Sequence, residues 1–363
     1  MRQVTATPSA RGTSARGNGR WIWGVSGLVT VAVLAVPGAH LIMNAGTPHL
    51  RGNISAVPTR TVVITQPVTS LNVQSYGAPI QITTGSGPDV TVAEAITYPD
   101  GASSPAVTAS VTRGQLTLAA PACADSPCSV GFTVTLPTHV PVTAVSSGGD
   151  IIVSNATGAS LNSGGGAVRA TGITGSLGVT SEGGPVFVSS AAGANVDSGG
   201  GVVQAEKING PLTVSTEGGP LTLSGLTGEL HADTGGGTMF AEGVSAPAAT
   251  VTAEGGDVRL GFATAPDSVQ VSTGGGAADL TVPGGPYALT ADDGGGGPEL
   301  ISIATNPAAT RSINVSTQGG SLRINAGAVG NPKVSDSDLS GPRKPPVPPQ
   351  PPVPPKPPAP PKP

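Results

Sequence analysis

Runs of two or more glycines recur through the second half of the chain, and their spacing restricts the possible folds more than any other feature. Ten of these runs begin at residues 148, 164, 183, 199, 218, 235, 255, 274, 294 and 319. Each joins two short stretches of alternating apolar and small or polar residues, as from Val179 to Val188. The pattern predicts a strand, a glycine corner and a second strand about every 18 residues. Because so short a unit cannot bury its apolar face alone, the units must stack, which predicts an all-β solenoid over residues 146–326.

Two coil lengths are compatible with this repeat. Coils of about 18 residues would place every corner on one edge of the stack, whereas coils of about 36 residues would place corners on two edges. In the longer coil Glu182, Glu217 and Glu254 would lie one strand spacing apart, roughly 4.8 Å, where like charges repel. The shorter coil separates them by about two spacings, and we favour it.

Glycine is expected at the corners because stacked coils bring backbones close together there, or require a backbone conformation that a Cβ disfavours. A side chain introduced at a position such as Gly199 or Gly236 should therefore destabilise one coil. The predicted corner residues are Gly148, Gly149, Gly183, Gly184, Gly199, Gly200, Gly218, Gly219, Gly235, Gly236, Gly255, Gly256, Gly274 and Gly275.

The glycine and proline content, 55 and 37 of 363 residues, would by itself indicate disorder. The distribution of these residues along the chain changes that interpretation, because the ten runs hold 26 of the glycines and residues 341–363 hold 14 of the prolines. We predict a disordered linker and proline-rich tail over residues 327–363, extended as polyproline II. A spacer or wall-contacting tail is favoured over a specific docking motif.

An uncharged segment near the N-terminus predicts a membrane anchor. Residues 21–43 contain no Lys, Arg, Asp or Glu, and 23 residues of helix are long enough to cross a bilayer. The arginines in residues 1–20 favour a cytoplasmic N-terminus, so residues 44–60 would be a juxtamembrane linker and the rest extracytoplasmic. The alternative is a cleaved signal peptide.

Residues 61–145 show successive short alternating segments, and we expect them to form strands that lead into the repeats. This region contains both cysteines, Cys123 and Cys128. No histidine lies within ten residues of them, so a zinc site lacks ligands. In an extracytoplasmic compartment a short-loop disulfide is the expected state, with two free thiols as the alternative.

Few residues are candidates for chemistry. Residues 60–340 carry eight basic and 21 acidic residues, a net charge of −13, which argues against a nucleic-acid partner. His139 and His231 have no recognisable nucleophile pattern beside them, and the glycine runs lack the lysine of a phosphate-binding loop. Acidic residues flank several runs and could bind calcium, but the dense calcium nonapeptide Gly-Gly-x-Gly-x-Asp is absent. We expect no cofactor and no small-molecule substrate.

The segment from Phe132 to Val142, followed by the one from Ser146 to Val153, resembles the bacterial “putative adhesin” family of β-strand repeats. In that family a strand ending in Pro-x-x-Val leads into repeated Ser/Thr-x-Gly-Gly/Asp units. The resemblance covers about residues 61–326. It implies an extracytoplasmic β-solenoid, often tethered to the membrane, with an adhesin-like role.

The combined features predict a non-enzymatic protein of the bacterial envelope, anchored in the cell membrane by residues 21–43. Its partners would be cell-wall or surface glycans or proteins. An ectodomain that scaffolds or regulates a neighbouring membrane system is the alternative. A polysaccharide-acting β-helix enzyme would need clustered carboxylates, for which Asp292 and Asp293 are the candidates.

Overall fold

All regular secondary structure in the described part of the chain is β-strand, arranged in a 16-stranded and a 13-stranded sheet. The computed structural model describes residues 32–33, 54–56, 59–120 and 128–327. Within these residues there is no helix of the length and hydropathy that a membrane span requires. The two sheets enclose one continuous apolar core of Val, Leu, Ile and Ala with a few aromatic rings.

Nine strands precede the glycine repeats. They are β1 (Ala32–Val33), β2 (Ile54–Ala56), β3 (Arg60–Ile64), β4 (Ser70–Ser75), β5 (Ile80–Thr84), β6 (Val90–Pro99), β7 (Thr108–Thr112), β8 (Gln115–Ala119) and β9 (Ser129–Leu136).

Within the repeats, every strand that lies before a glycine corner belongs to the 13-stranded sheet. These strands are β10 (Pro141–Ser146), β12 (Gly158–Ser163), β14 (Leu177–Ser181), β16 (Ala194–Ser198), β18 (Leu212–Thr216), β20 (Leu230–Asp233), β22 (Ala248–Ala253), β24 (Ser268–Thr273), β26 (Ala288–Asp292) and β28 (Ser312–Ser316).

Every strand that follows a corner belongs to the 16-stranded sheet. These strands are β11 (Ile151–Ser154), β13 (Val168–Ile173), β15 (Val186–Ala191), β17 (Val203–Ile208), β19 (Leu221–Leu226), β21 (Met239–Val244), β23 (Val258–Phe262), β25 (Ala278–Val282), β27 (Glu299–Ser302) and β29 (Leu322–Ala326).

One coil of the solenoid is therefore a strand in each sheet, joined by a glycine corner. Parallel pairing aligns residues 17 to 20 positions apart from β10 to β24, as Ala159 aligns with Leu177 and Ala248 with Ser268. This register is that of the shorter coil, with the corners on one edge. Side chains alternate between core and solvent along each strand, and the buried ones form columns such as Val179, Val196 and Val214.

The strands that precede the repeats continue the same two sheets. β4 and β5 pair in parallel with β10 and β11, and the later pair β8 and β9 stacks outside β4 and β5. Strands β3 and β6 extend the 16-stranded sheet in antiparallel pairing, and β7 does the same for the 13-stranded sheet. The predicted strand-rich region 61–145 is thus one end of the solenoid.

A similar exchange of coil order occurs at the other end. The last coil in sequence, β28 and β29, lies between the coil of β24 and β25 and the coil of β26 and β27. The penultimate coil in sequence is therefore outermost in space. Paired strands in the two sheets are here 44 residues apart, as Ser268 and Ser312 show.

Some expectations concern residues outside the described ranges. Of the predicted membrane helix, residues 21–43, only Ala32 and Val33 are described, and they form the short strand β1 beside β3. The cytoplasmic tail, most of the juxtamembrane linker, Cys123 and the proline-rich tail from residue 328 onward lie outside the described residues. The transmembrane helix and the disulfide with Cys128 stay predictions.

A column of buried hydroxyl groups closes the glycine corners. In most coils the last residue before the corner is a Ser or Thr whose hydroxyl donates to the carbonyl oxygen three residues later, as from Thr234 to Gly237 at 2.9 Å. Ala253 interrupts the column. The other donors of this kind are Ser75, Ser163, Ser181, Ser198, Thr216, Thr273 and Thr317.

The last glycine of each run makes the closest contact between coils. A Cβ on Gly237 would clash with the carbonyl oxygen of Gly219 in the preceding coil, and a Cβ on Gly219 would clash with that of Gly201. This contact continues along the edge. The glycines in this column are Gly149, Gly166, Gly184, Gly201, Gly219, Gly237, Gly256, Gly276 and Gly320.

The predicted set of corner glycines is corrected in part by this geometry. A Cβ on Gly148, Gly236 or Gly255 would have no atom within 4 Å, and these residues do not have left-handed φ angles. A side chain at Gly236 is therefore not expected to disrupt a coil. At Gly199 a Cβ would lie 2.9 Å from the carbonyl oxygen of Glu182, so that position does require glycine.

Gly237→Ala should lower the melting temperature, because the added methyl group forces two coils apart at a cost of about 1–3 kcal/mol. The adjacent Gly236→Ala is the matched control, since its Cβ would point into open space. Thermal unfolding followed by circular dichroism measures both. Equal melting temperatures for the two variants would contradict the contact.

Thr234→Val keeps the shape of a buried side chain but removes its hydroxyl, leaving the carbonyl of Gly237 without this donor. We expect a loss of about 1–3 kcal/mol in the free energy of unfolding. The control is Thr252→Val on the exposed face, for which we expect a change within about 0.5 kcal/mol. A similar loss for both would show that the hydroxyl column does not stabilise the corners.

Candidate ligand-binding groove

The two sheets present different outer faces to solvent. The first outward row of the 13-stranded sheet, in register across neighbouring coils, consists mostly of hydroxyl and amide side chains. This row is Thr143, Ser160, Gly178, Asn195, Thr213, His231, Thr250 and Gln270.

The corresponding row of the 16-stranded sheet contains aromatic and arginine side chains. It runs Arg169, Phe187, Gln204, Thr222, Phe240, Arg259, Asp279, Arg323 and Leu300. Arginine and aromatic residues carry much of the binding energy at protein interfaces. This face is therefore the better candidate for recognition.

A groove of about 560 Å³ lies on this face, over the outer side of β21, β23, β25, β29 and β27. Two large apolar side chains border it and remain open to solvent, with Phe240 37% exposed and Leu300 52% exposed. Met239, Val258 and Leu322, which alternate with the outward residues and have side chains buried in the core, also line it. A groove with apolar borders and a few polar groups is typical of a binding site.

The polar groups of the groove form a short network. The guanidinium of Arg259 contacts the carboxylate of Asp279 at 3.3 Å, and the amide of Asn325 donates to the same carboxylate at 3.3 Å. Asp257 accepts a hydrogen bond from the backbone N–H of Ala277 at 2.8 Å. Arg323 has no ion pair within the described residues, so its donors face the groove side of the sheet unengaged by a carboxylate.

The same face carries a second aromatic ring, that of Phe187, which an arginine side chain covers. The guanidinium of Arg169 lies 4.2 Å from the ring centroid of Phe187, a cation–π contact that covers the ring. Arg259 follows Phe240 in the row but pairs with Asp279. The ring of Phe240 is consequently the exposed one.

The candidate residues for chemistry have structural contacts. The Nδ1 atom of His139 lies 2.8 Å from the backbone carbonyl of Asn155, and His231 is an exposed residue of β20. Asp292 and Asp293 accept hydrogen bonds from the N–H groups of the glycines two residues later, at 2.9 and 2.8 Å. Within the described residues, no three His, Cys, Asp or Glu side chains are grouped as a metal site requires.

Sequence reasoning did not identify Phe240, Arg259, Arg323 or Leu300. A signal was present for the first two, because they lie 19 residues apart, one coil length, at equivalent positions after their glycine runs. Arg323 lies at the same position after its own glycine run, but its place beside Asp279 has no sequence signal, because the exchanged coil order joins these strands across 44 residues.

No protein-family model matches the chain, and no curated protein sequence matches it. Two similar solved structures are a “putative cell adhesion protein” from Clostridium sporogenes and a “putative adhesin” from Bacteroides fragilis. The first is 12% identical to this chain, with a TM-score of 0.21, and the match covers 74% of this chain and 100% of the Clostridium chain. The second is 13% identical, with a TM-score of 0.28, and the match covers 74% of this chain and 97% of the Bacteroides chain.

One buried carboxyl group lies far from the groove, at the N-terminal end of the solenoid. Glu94 of β6 is 3% exposed and lies in register between Arg60 and Phe132. Its Oε2 atom has no hydrogen-bond partner within the described residues. Burial raises the pKa of Glu94, and the nearby Arg60 only partly opposes this effect.

Glu94→Gln should raise the melting temperature at neutral pH. A carboxyl group with a raised pKa favours its protonated form in the folded state, so the ionised form costs stability. The gain should shrink as the pH falls through the raised pKa, and disappear below the ordinary carboxyl value of 4.5. Melting curves across this range measure the difference, with the exposed Glu229→Gln as control. A gain independent of pH would contradict the assignment.

Proposed function

We propose that this chain is a membrane-anchored, extracytoplasmic binding protein of adhesin type without enzymatic activity. The observation that carries the proposal is the groove on the 16-stranded sheet, where an exposed aromatic ring and arginine side chains lie together on a rigid face. Solenoids use such extended surfaces for binding, since stacked coils align side chains from distant parts of the sequence.

The position of the anchor supports display at the cell surface. The uncharged residues 21–43 follow residues 1–20, which contain four arginines and no acidic residue, and this favours a cytoplasmic N-terminus. The solenoid would then lie outside the membrane, with its N-terminal coils nearest the anchor. The groove, located near the C-terminal coils, would lie at the far end from the membrane.

The polar groups of the described residues favour binding over catalysis. Asp292 and Asp293, the carboxylates that an enzyme of the β-helix type would use, accept hydrogen bonds from a glycine turn. The groove itself offers arginine donors and a carboxylate already engaged by Arg259 and Asn325. These groups are arranged to hold a ligand by hydrogen bonds and apolar contact.

The full-length chain, tagged after Pro363 and expressed in host cells, tests the proposal. We expect the tag to be accessible to antibody on intact cells, and the cells to bind isolated cell-envelope fragments. The variant Phe240→Ala with Arg323→Ala should be displayed equally but lose most of this binding. A tag accessible only after permeabilisation would contradict the location, and equal binding by the variant would contradict the groove.

A further inference from the structure

We infer that the groove binds an uncharged, extended polysaccharide that lies along the solenoid axis. This inference rests on the proposed function and names the chemical class of its ligand. Three properties of the groove lead to it: the row of side chains across neighbouring coils, the balance of charge, and the way its strands are paired.

The row of side chains suits a ligand with repeating units. Phe240, Arg259, Asp279, Arg323 and Leu300 lie on successive strands of one sheet. Neighbouring strands are about 4.8 Å apart, so the row extends for roughly 19 Å. An extended polymer can place one unit after another along such a row, whereas a compact small molecule would contact only part of it.

The charges of the groove balance. The groove carries two guanidinium groups, Arg259 and Arg323, and an equal number of carboxylates, Asp257 and Asp279. Residues 60–340 have a net charge of −13, so a strongly acidic polymer would be repelled at longer range. An uncharged ligand neither leaves one sign of charge in the groove without a partner nor is repelled by the acidic chain. The balance of charge therefore favours an uncharged ligand over a polyanion.

The exposed groups match the chemistry of sugar rings. A pyranose has an apolar C–H face that can pack on an aromatic ring, and Phe240 offers an uncovered one. Its hydroxyl groups both donate and accept, and Arg323 supplies donors while Asp257 supplies carboxylate oxygen. Thr238 and Ser321 add hydroxyls at the glycine-corner side of the groove.

Strand pairing disfavours a peptide that binds by strand addition. Four of the five strands beneath the groove, β21, β23, β25 and β29, are paired on both sides, so their backbone N–H and C=O groups are occupied. The fifth, β27, is the edge strand, and a peptide added to it would lie at the end of the sheet, parallel to the strands and not along the row of side chains. Recognition on this face must therefore use side chains. That requirement suits a chain rich in hydroxyl groups better than an extended peptide backbone.

The test titrates the purified full-length chain in detergent with dextran, laminarin and mannan as uncharged polymers, and polygalacturonate as an acidic one. We expect binding to at least one uncharged polymer, with little change in 0.5 M NaCl because no net charge is neutralised. Phe240→Ala and Arg323→Ala should each weaken it about tenfold or more. Phe187→Ala, whose ring is covered by Arg169 on the same face, should bind normally.

Several results would overturn the inference. Preference for polygalacturonate that falls with salt would indicate an acidic ligand, and an equal loss in Phe187→Ala would place the site elsewhere. Capture of a peptide by the groove in competition with dextran would also overturn it. If no polymer binds but displayed cells still bind envelope fragments through Phe240, the ligand class is wrong and the proposed function stands. If neither the polymers nor the envelope fragments bind, both the ligand class and the proposed function are rejected.

Discussion

The structure depends on the contact between the last glycine of each corner and the carbonyl oxygen of the coil before it. No side chain fits at this contact, as Gly219 and Gly237 show, so the backbones of neighbouring coils approach closely along one edge. The buried hydroxyl of Thr234 and its equivalents then hold each corner in the same shape. With the corner geometry constant, every coil starts its next strand at the same place, and the parallel register of both sheets follows.

A constant register makes each outer face a set of straight rows. On the 13-stranded sheet the first outward row consists mostly of hydroxyl and amide side chains, which suits a solvated surface. On the 16-stranded sheet one row places Phe240, Arg259, Asp279 and Arg323 side by side. The groove is a consequence of this alignment, since none of its strands contributes more than a few of its side chains.

At the two ends of the stack the order of the coils in space differs from their order in sequence, whereas in the middle the two orders agree. A solenoid leaves strand edges unpaired at each end, which invites association with other chains. At the N-terminal end antiparallel strands such as β6 extend the sheet beyond the stacked coils. At both ends the second coil from the terminus in sequence is the outermost, and the terminal coil lies beneath it. The same exchange brings Asn325 to within hydrogen-bond distance of Asp279.

The repeat in the sequence determined much of this protein: the two strands per coil, the coil of about 18 residues favoured by the spacing of Glu182 and Glu217, and the placement of the corners on one edge. These properties are local and recur, so one period read from the chain describes them all. Only the tertiary structure decided which glycine in each run is required, since Gly236 and Gly237 are the same residue type but a Cβ would clash with the preceding coil only at Gly237. The tertiary structure also decided which residues line the groove, because Arg323 lies beside Asp279 through an exchange of coil order that no sequence period predicts.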